Sequence, residues 1–280
     1  MDIGVMLFPT DRSIGPVELA RAVEERGLHS LYFPEHTHIP VGRRTPYPGG
    51  GELPEEYKRT HDPFLALTAA AVVTERIQLG TGICLVAQRD PIVTAKAVAS
   101  LDVLSGGRFV FGIGVGWNED EMEHHGVDPA RRRAVAREHV LAMKALWTQD
   151  EASFDGDHVH LEPSWSWPKP VQRPHPPILL GGAGGPVTFR HVVEYCDGFM
   201  PIGGRGVLRD RLAELRTVAT EAGRDPDSLL LKVFGVRPKP ETLADYAEAG
   251  VGEVIVGLPS ADADVVLPLL DRCASLVGAT

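Results

Sequence analysis

Short apolar runs recur along the whole chain, separated by stretches with helical periodicity. Eight of these runs are rich in β-branched residues: "IGVMLF", "SLYF", "IQLGTGIC", "FVFGIGV", "PILLG", "DGFMPI", "LLLKVFGV" and "GEVIVGL". Most are continuous rather than alternating, which is typical of strands buried on both faces of a parallel sheet. Eight such strands alternating with helices predict an α/β fold, a closed (β/α)8 TIM barrel, with an open doubly wound sheet as the alternative.

The helical stretches carry clear start signals. Asp62-Pro63 precedes "FLALTAAAVVTE", Asp90-Pro91 precedes "IVTAKAVASLDVL", and Pro16 opens a helix that Gly27 ends. An aspartate cap followed by proline at the first helical position favours a helix start. One long helix is predicted over residues 119–147, and later helices are predicted at "PVTFRHVVEYC", "VLRDRLAELRTVATEAG" and "PETLADYAEAG".

Two segments interrupt the alternation of strands and helices. Residues 37–61 follow the second strand, and the proline- and tryptophan-rich residues 150–176 precede the fifth. Long loops inside compact domains usually carry function or are mobile. Because the chain has neither a low-complexity linker nor a repeat of fixed period, we expect a single domain over residues 1–280.

Composition limits the classes of partner. The 280 residues include 38 acidic and 28 basic side chains, giving a net charge of -10. This charge opposes binding to nucleic acid and to anionic membranes. Cys84, Cys196 and Cys273 show no CxxC spacing and predict neither a disulfide framework nor a zinc site, and the amino terminus lacks a secretory signal. We therefore expect a cytoplasmic protein that has no nucleic-acid or membrane partner.

The predicted strand ends share an unusual composition. Strand two ends in Glu35-His36, and the next four exits read "TGIC", "GVGWN", "GGAGG" and "PIGG", the last containing Ile202. In a (β/α)8 barrel the active site is built from these carboxyl ends. Glycine lets backbone amides approach a ligand closely. The exits therefore predict one ligand site at one rim of the barrel.

Glycine clusters at two exits suggest different roles. Gly181, Gly182, Ala183 and Gly184 lead into a helix that begins at Pro186, so uncapped amides favour an anion such as phosphate there. A flexible strand-to-helix turn is the competing interpretation, and barrels more often bind phosphate after strands seven and eight.

The glycines of "FGIGVGWNEDE" are spaced GxGxG, so they do not form the GxGxxG dinucleotide fingerprint. For Gly112 and Gly114 we favour close packing inside the barrel. Gly116, Trp117 and Asn118 lie later, at the mouth, where an indole and an amide are suited to border a flat ring.

His36 and His38 have the HxH spacing of metal-dependent hydrolases. The other exits offer glycine, methionine and proline rather than further metal ligands, so no metal site is predicted. An imidazole directly after a strand, beside Glu35, suits proton transfer near neutral pH. We therefore take His36 as the candidate catalytic residue and His38 as structural.

Three stretches together carry a family resemblance. "FPEHTHIPVGRRTPYPGGGELPEEYKRTHDPF", "LGTGICLVAQRDPIVTAKAVASLDVLSGGRFVFGIGVGWNEDEM" and "PILLGGAGG" resemble the bacterial luciferase-like monooxygenase superfamily, in particular the oxidoreductases that use the deazaflavin coenzyme F420. The resemblance runs in register from the first strand to at least the sixth. It implies a (β/α)8 barrel that holds an isoalloxazine-like ring at the strand carboxyl ends, usually as a homodimer.

The resemblance also implies roles for individual residues. Glu35 and His36 would touch the ring system, and a non-proline cis peptide would back the ring at or near Gly82-Ile83, next to Thr81. Residues 181–184 match the phosphate-side contacts of the family. From their positions at the strand exits, we add Gly116, Asn118 and Ile202 to the predicted cofactor site. Trp117 stands where relatives place a catalytic glutamate, so that role is not transferred, either to Trp117 or to the nearby Glu119.

The resulting hypothesis is an F420-dependent oxidoreductase that transfers a hydride between F420 and a small organic substrate. The insertion at 37–61, with Arg43 and Arg44, is a candidate to close over the site and neutralise acidic cofactor groups; a solvated basic loop is the alternative. Two alternatives for the whole protein remain: an FMN-dependent monooxygenase supplied by a separate reductase, and a non-catalytic flavin or deazaflavin carrier. A metal-dependent hydrolase ranks last.

Overall fold

The computed structural model describes residues 1–203, 208–236 and 239–277. Val207 of one predicted helix, Gly204 of the strand-six exit and the last three residues of the predicted domain lie outside these ranges. Across the described ranges, none of the helices combines the length and apolar character needed to cross a bilayer.

Eight parallel strand positions close into a barrel, as predicted. The parallel strands are β1 (Asp2–Met6), β2 (Ser30–Phe33), β3 (Gln78–Thr81), β4 (Cys84–Leu85), β5 (Phe109–Gly114), β8 (Ile178–Gly182), β9 (Gly198–Pro201), β10 (Leu230–Val236) and β11 (Glu253–Gly257). The short β4 continues β3, and both pair with β5, so the two share one position in the barrel. In spatial order the sheet runs β3, β2, β1, β11, β10, β9, β8 and β5, and pairing of β3 with β5 closes the ring. Most of their residues are buried, which explains why the apolar runs are continuous.

Helices lie between the strands. They are α1 (Pro16–Glu25), α2 (Pro63–Ala71), α3 (Pro91–Leu104), α4 (Glu119–His124), α5 (Arg132–Thr148), α6 (Pro186–Tyr195), α7 (Leu208–Glu221), α8 (Pro240–Glu248) and α9 (Ala263–Ala274), with short 3₁₀ turns at Glu55–Lys58, Val86–Gln88 and Pro226–Ser228. The two aspartate caps are confirmed: Asp62 accepts hydrogen bonds from the amides of Phe64 and Leu65, and Asp90 accepts one from Val93.

The long helix predicted over residues 119–147 is wrong. The structure has two helices, α4 and α5, separated by a turn at residues 125–131. Gly126 adopts φ +76° there, and the amide of Val127 bonds back to the carbonyl of Met122, which ends α4. Because of this break, the short helix α4 lies at the rim of the barrel, directly after the carboxyl end of β5, and α5 forms a separate helix.

Two further details differ from the sequence pattern. The third predicted strand is interrupted at Gly82-Ile83, where the peptide bond is cis, so the expected position of a non-proline cis bond is confirmed. The insertion at 150–176 contains an antiparallel hairpin, β6 (Ala152–Asp155) with β7 (His160–Ser164). Its strands are short and mostly exposed, and therefore lack the alternating apolar pattern that would have predicted them.

Polar side chains fill the amino-terminal end of the barrel. The Lys232 ammonium group lies 2.5 Å from a carboxylate oxygen of Glu253 and donates to Tyr32 Oη at 2.9 Å and to Gln78 Oε1 at 2.8 Å. Gln78 and Glu253 each begin a strand, so this buried network marks the end opposite the strand exits. The cavity described next lies at the other end.

Candidate active site

A cavity of about 330 Å³ opens at the carboxyl ends of the strands. It is lined from five successive exits by residues that the sequence singled out: Glu35, His36, Gly82, Ile83, Gly116, Gly181, Gly182, Ala183 and Ile202. Three other candidates lie outside this lining, namely Thr81, Asn118 and Gly184. The predicted convergence of the exits is therefore present, although three of the proposed cofactor contacts are set back from it.

The three displaced residues have other contacts. The Thr81 hydroxyl donates to the carbonyl of Gly112 at 2.6 Å, inside the wall. The Asn118 amide is fully buried and has no hydrogen-bond partner within the described part of the chain. Gly184 has φ +83° and packs near Phe189, where it shapes the turn into α6.

Glycines make one face of the cavity flat. A Cβ on Gly114 would lie 1.7 Å from Ile83 Cδ1, and one on Gly181 would lie 2.9 Å from Ile83 Cγ2. A Cβ on Gly112 would meet the Thr81 carbonyl oxygen at 2.0 Å, which confirms close packing as the reason for that glycine. A side chain larger than hydrogen at Gly114 or Gly181 would therefore displace Ile83, and the absence of such side chains keeps this face of the cavity flat.

Glu35 lines the cavity, but both of its carboxylate oxygens are already bound by other groups of the protein. Its carboxylate accepts the amide of Leu85 at 2.7 Å and the Arg89 Nε at 2.5 Å. Arg89 in turn donates to Asp62, the cap of α2. Glu35 thus fixes the segment that follows the cis peptide, a positioning contact that links the second strand exit to the third.

His36 forms a buried pair with Glu121 of α4. Its Nδ1 lies 2.7 Å from Glu121 Oε2, and the side chains are 6% and 0% exposed. The other carboxylate oxygen accepts the Thr37 amide at 3.3 Å. Because a carboxylate only accepts hydrogen bonds, Nδ1 carries the proton, and Nε2 is left to accept or donate one.

Sequence reasoning missed Glu121 because it stands in the acidic run Glu119-Asp120-Glu121, which resembles a solvated helix face. Helical spacing held a signal. Asn118, Glu121 and Met122 are at positions i, i+3 and i+4, and all three are buried. Their shared face directs the carboxylate toward the barrel.

His38 makes contacts that are separate from those of His36. Its Nε2 lies 2.9 Å from Nδ1 of His124, and the two rings are stacked with centroids 5.1 Å apart. The Thr37 hydroxyl bridges His38 and His125 at 3.0 and 2.7 Å. Burial, with a smaller contribution from His38, lowers the pKa of His125. The two histidines of the HxH pair thus have different partners. Within the described ranges, no three His, Cys, Asp or Glu side chains are placed so that they could hold a metal ion together.

The insertion at 37–61 is fastened to α4. Arg44 Nε donates to Asp120 at 2.7 Å and its Nη2 to Glu123 at 2.5 Å, while the amide and hydroxyl of Thr45 donate to Asp120 at 3.0 and 2.9 Å. The Arg44 hydrogen bond is the main reason that the pKa of Asp120 lies below its usual range. Arg44 is therefore paired with protein carboxylates, whereas the sequence suggested it for acidic cofactor groups.

The fold and the cavity define a (β/α)8 barrel with a glycine-lined cavity at its strand exits. The chain matches the luciferase-like monooxygenase family over residues 15–262 and belongs to that family of oxidoreductases. Two relatives illustrate its range. An uncharacterized protein of Mycobacterium tuberculosis is 44% identical over 278 residues, covering 98% of each chain. An F420-dependent glucose-6-phosphate dehydrogenase of Gordonia bronchialis is 34% identical over 197 residues, or 68% of this chain and 53% of that protein.

Solved structures share the fold. An F420-dependent secondary alcohol dehydrogenase, solved with an F420-acetone adduct, superposes with a TM-score of 0.77 at 19% identity, covering 100% of this chain and 99% of that one. The oxygenating constituent of 3,6-diketocamphane monooxygenase from Pseudomonas putida, solved with FMN, has a TM-score of 0.64 at 19% identity, covering 84% and 67%.

Proposed function

We propose that the protein is a hydride-transfer oxidoreductase that uses coenzyme F420. The observation that carries the proposal is the pairing of a flat glycine bed with a buried His36-Glu121 dyad on the same cavity. The similarity to the Gordonia F420-dependent dehydrogenase supports the choice of cofactor. The deazaflavin, when bound, supplies a hydride donor or acceptor at one ring carbon and reacts poorly with oxygen.

The chain's residues fit such a group. Gly82, Ile83 and Gly181 would lie against the ring, with Gly116 and Ile202 at its margins. Gly182, Gly184 and Gly185 have φ of +137°, +83° and +116°, and α6 has no side-chain cap, so its first amides are left for the phosphate.

His36 would hold the proton that accompanies the hydride. Nδ1 is bound to Glu121, so Nε2 accepts a proton from a substrate hydroxyl when the imidazole is neutral and returns it in the reverse reaction. The carboxylate of Glu121 stabilises the protonated ring without leaving the barrel wall. Catalysis then needs only a substrate that places its reacting carbon over the ring and its oxygen near Nε2.

An FMN-dependent monooxygenase supplied by a separate reductase is the second candidate, since an FMN-bound protein shares the fold. Titration of the purified protein with F420 and with FMN tests the choice, followed by anaerobic oxidation of alcohols with bound F420. Micromolar binding of FMN together with no binding of F420 would reverse the assignment. A carrier role would show as F420 binding without turnover of any substrate.

We also propose a homodimer built on α2 and α3. Both helices are rich in apolar residues, and their outer residues include Leu65 and Val93, which are 75% and 65% exposed. Exposed apolar side chains that lie together often mark an interface between proteins. Because the chain carries a net charge of -10, pairing of two copies is favoured at a surface with few charges, and Lys96 is a charged residue exposed on α3.

Light scattering tests this proposal. Val93→Glu should give monomers, whereas Val265→Glu, a similarly exposed valine on α9, should leave the mass unchanged. A monomeric wild-type protein would contradict the dimer.

Two further assignments belong to the proposal. One domain would span residues 1–280. The cytoplasm would be its compartment because the three cysteines are free and buried.

A further inference from the structure

Three aromatic rings stand together at the cavity mouth. Tyr47 and Tyr57 come from the insertion, and Trp117 comes from the exit of β5. Ring centroids are 5.2 Å apart for the two tyrosines, 6.0 Å for Tyr47 and Trp117, and 6.3 Å for Tyr57 and Trp117, all edge-to-face. We refer to these three residues as the aromatic wall.

The aromatic wall lies next to the imidazole that handles the proton. The His36 ring centroid is 5.2 Å from that of Tyr57 and 5.8 Å from that of Trp117. The aromatic wall therefore lies beside any substrate whose oxygen reaches the His36 imidazole. Aromatic surfaces bind other flat apolar groups by stacking and edge contacts.

Charge is sparse in this part of the cavity. Within the described ranges, none of the lining side chains is a lysine or an arginine, and the Glu35 carboxylate is already bound by Arg89. A phosphorylated substrate needs cationic or amide donors close to its phosphate. The lining instead favours an uncharged molecule.

We infer that the substrate is an uncharged carbinol that carries an aromatic ring at the reacting carbon, or the matching aldehyde or ketone. This inference rests on the proposed function. In the oxidation, the C–H bond of the carbinol breaks and its hydride passes to oxidised F420. The O–H bond breaks and its proton passes to His36 Nε2, and the carbonyl double bond forms. The reduction of the aldehyde or ketone is the exact reverse.

Substitution of one glycine in the insertion should displace part of the aromatic wall while all three aromatic residues stay in the chain. A Cβ on Gly49 would lie 2.4 Å from Cε1 and 2.8 Å from Oη of Tyr47, so Gly49→Ala must displace the Tyr47 ring. Gly42 lies in the same insertion and has no atom within 4 Å of a built Cβ. Gly42→Ala is therefore the matched control.

The experiment compares three substrates with the F420-loaded enzyme under nitrogen. They are 1-phenylethanol, isopropanol and glucose 6-phosphate. We expect kcat/KM for the aryl carbinol to exceed both others, and Gly49→Ala to lower it about tenfold, the size of one lost aromatic contact. Tyr47→Phe should keep the preference and Tyr47→Ala should lose it. Gly42→Ala should match the wild type.

A binding measurement separates this inference from the proposed function. Quenching of tryptophan fluorescence by acetophenone reports its affinity without turnover, and we expect Gly49→Ala to weaken it while Gly42→Ala does not. F420 binding with equal or better use of isopropanol or glucose 6-phosphate would overturn the inference and leave the proposed function standing. Absence of F420 binding would remove the proposed function, and equal acetophenone affinity in Gly49→Ala and wild type would remove the aromatic wall as a binding surface.

Discussion

The His36-Glu121 dyad gives the most direct test of the chemistry. Glu121→Gln keeps the size of the side chain and removes its charge. In the wild type, Oε2 accepts Nδ1–H at 2.7 Å and Oε1 accepts the Thr37 amide at 3.3 Å. A glutamine has one acceptor for these two donors, so one of them must face its NH2 group.

Both arrangements harm the proton transfer. If the amide oxygen keeps Nδ1–H, the Thr37 amide loses its acceptor and the protonated imidazole loses its counter-charge. If the NH2 group faces Nδ1, the imidazole must carry its proton on Nε2, where it can no longer accept one from the substrate.

The magnitude follows from burial. Glu121 is fully buried and His36 almost fully, so solvent screens their interaction little. A hydrogen bond to a charged group contributes about 1.5–3 kcal/mol, which corresponds to a loss of roughly ten- to 150-fold in kcat/KM.

Steady-state kinetics across pH, under nitrogen and with F420 saturating, provide the assay. Cofactor affinity should be unchanged, because Glu121 lies behind His36 and outside the cavity lining. Glu119→Gln is the matched control, since Glu119 is exposed on the same helix and pairs with Arg132. If Glu121→Gln kept the kcat/KM of the wild type at every pH, the dyad would have no role in proton transfer. If only Glu119→Gln lost kcat/KM, that role would belong to Glu119.

Three other predictions concern the scaffold. Gly112→Ala should lower the free energy of unfolding by about 3 kcal/mol or more, because its methyl group would overlap a backbone oxygen. Gly15→Ala, which has open space around the new methyl group, should leave the stability unchanged. Equal midpoints of chemical denaturation for the two variants would contradict this prediction. Four hydrogen bonds from the insertion at 37–61 are accepted by Asp120. Asp120→Asn should therefore raise KM more than it lowers kcat, and it should speed proteolysis within residues 37–61. An unchanged rate of proteolysis would contradict the idea that Asp120 holds the insertion in place. Burial lowers the pKa of His139 and of His175, so both imidazoles bind protons less readily in the fold than in the unfolded chain, where histidine protonates at about pH 6.5. The melting temperature should therefore fall as pH drops from 7 to 5, and a flat curve would speak against this reasoning.

Much of the architecture was readable from the sequence because it depends on local and repeating signals. Continuous apolar runs are typical of strands buried on both faces of a parallel sheet, and proline after an aspartate cap marks where α2 and α3 begin. The glycine-rich exits then had to meet, since the carboxyl ends of parallel strands share one rim. The hairpin at 152–164 escaped this reasoning because its exposed strands carry no apolar alternation.

The chemistry of the site was decided by tertiary structure. Glu121 became a partner of His36 only because the turn at Gly126 ends α4 and sets its buried face against the second strand exit, 85 residues earlier in the chain. Glu35, adjacent to His36 in sequence, was turned instead toward Arg89. Sequence alone determined that five strand exits meet at one rim and predicted most of the residues there. Which side chains touch depends on packing between elements far apart in the chain, and no local pattern encodes that.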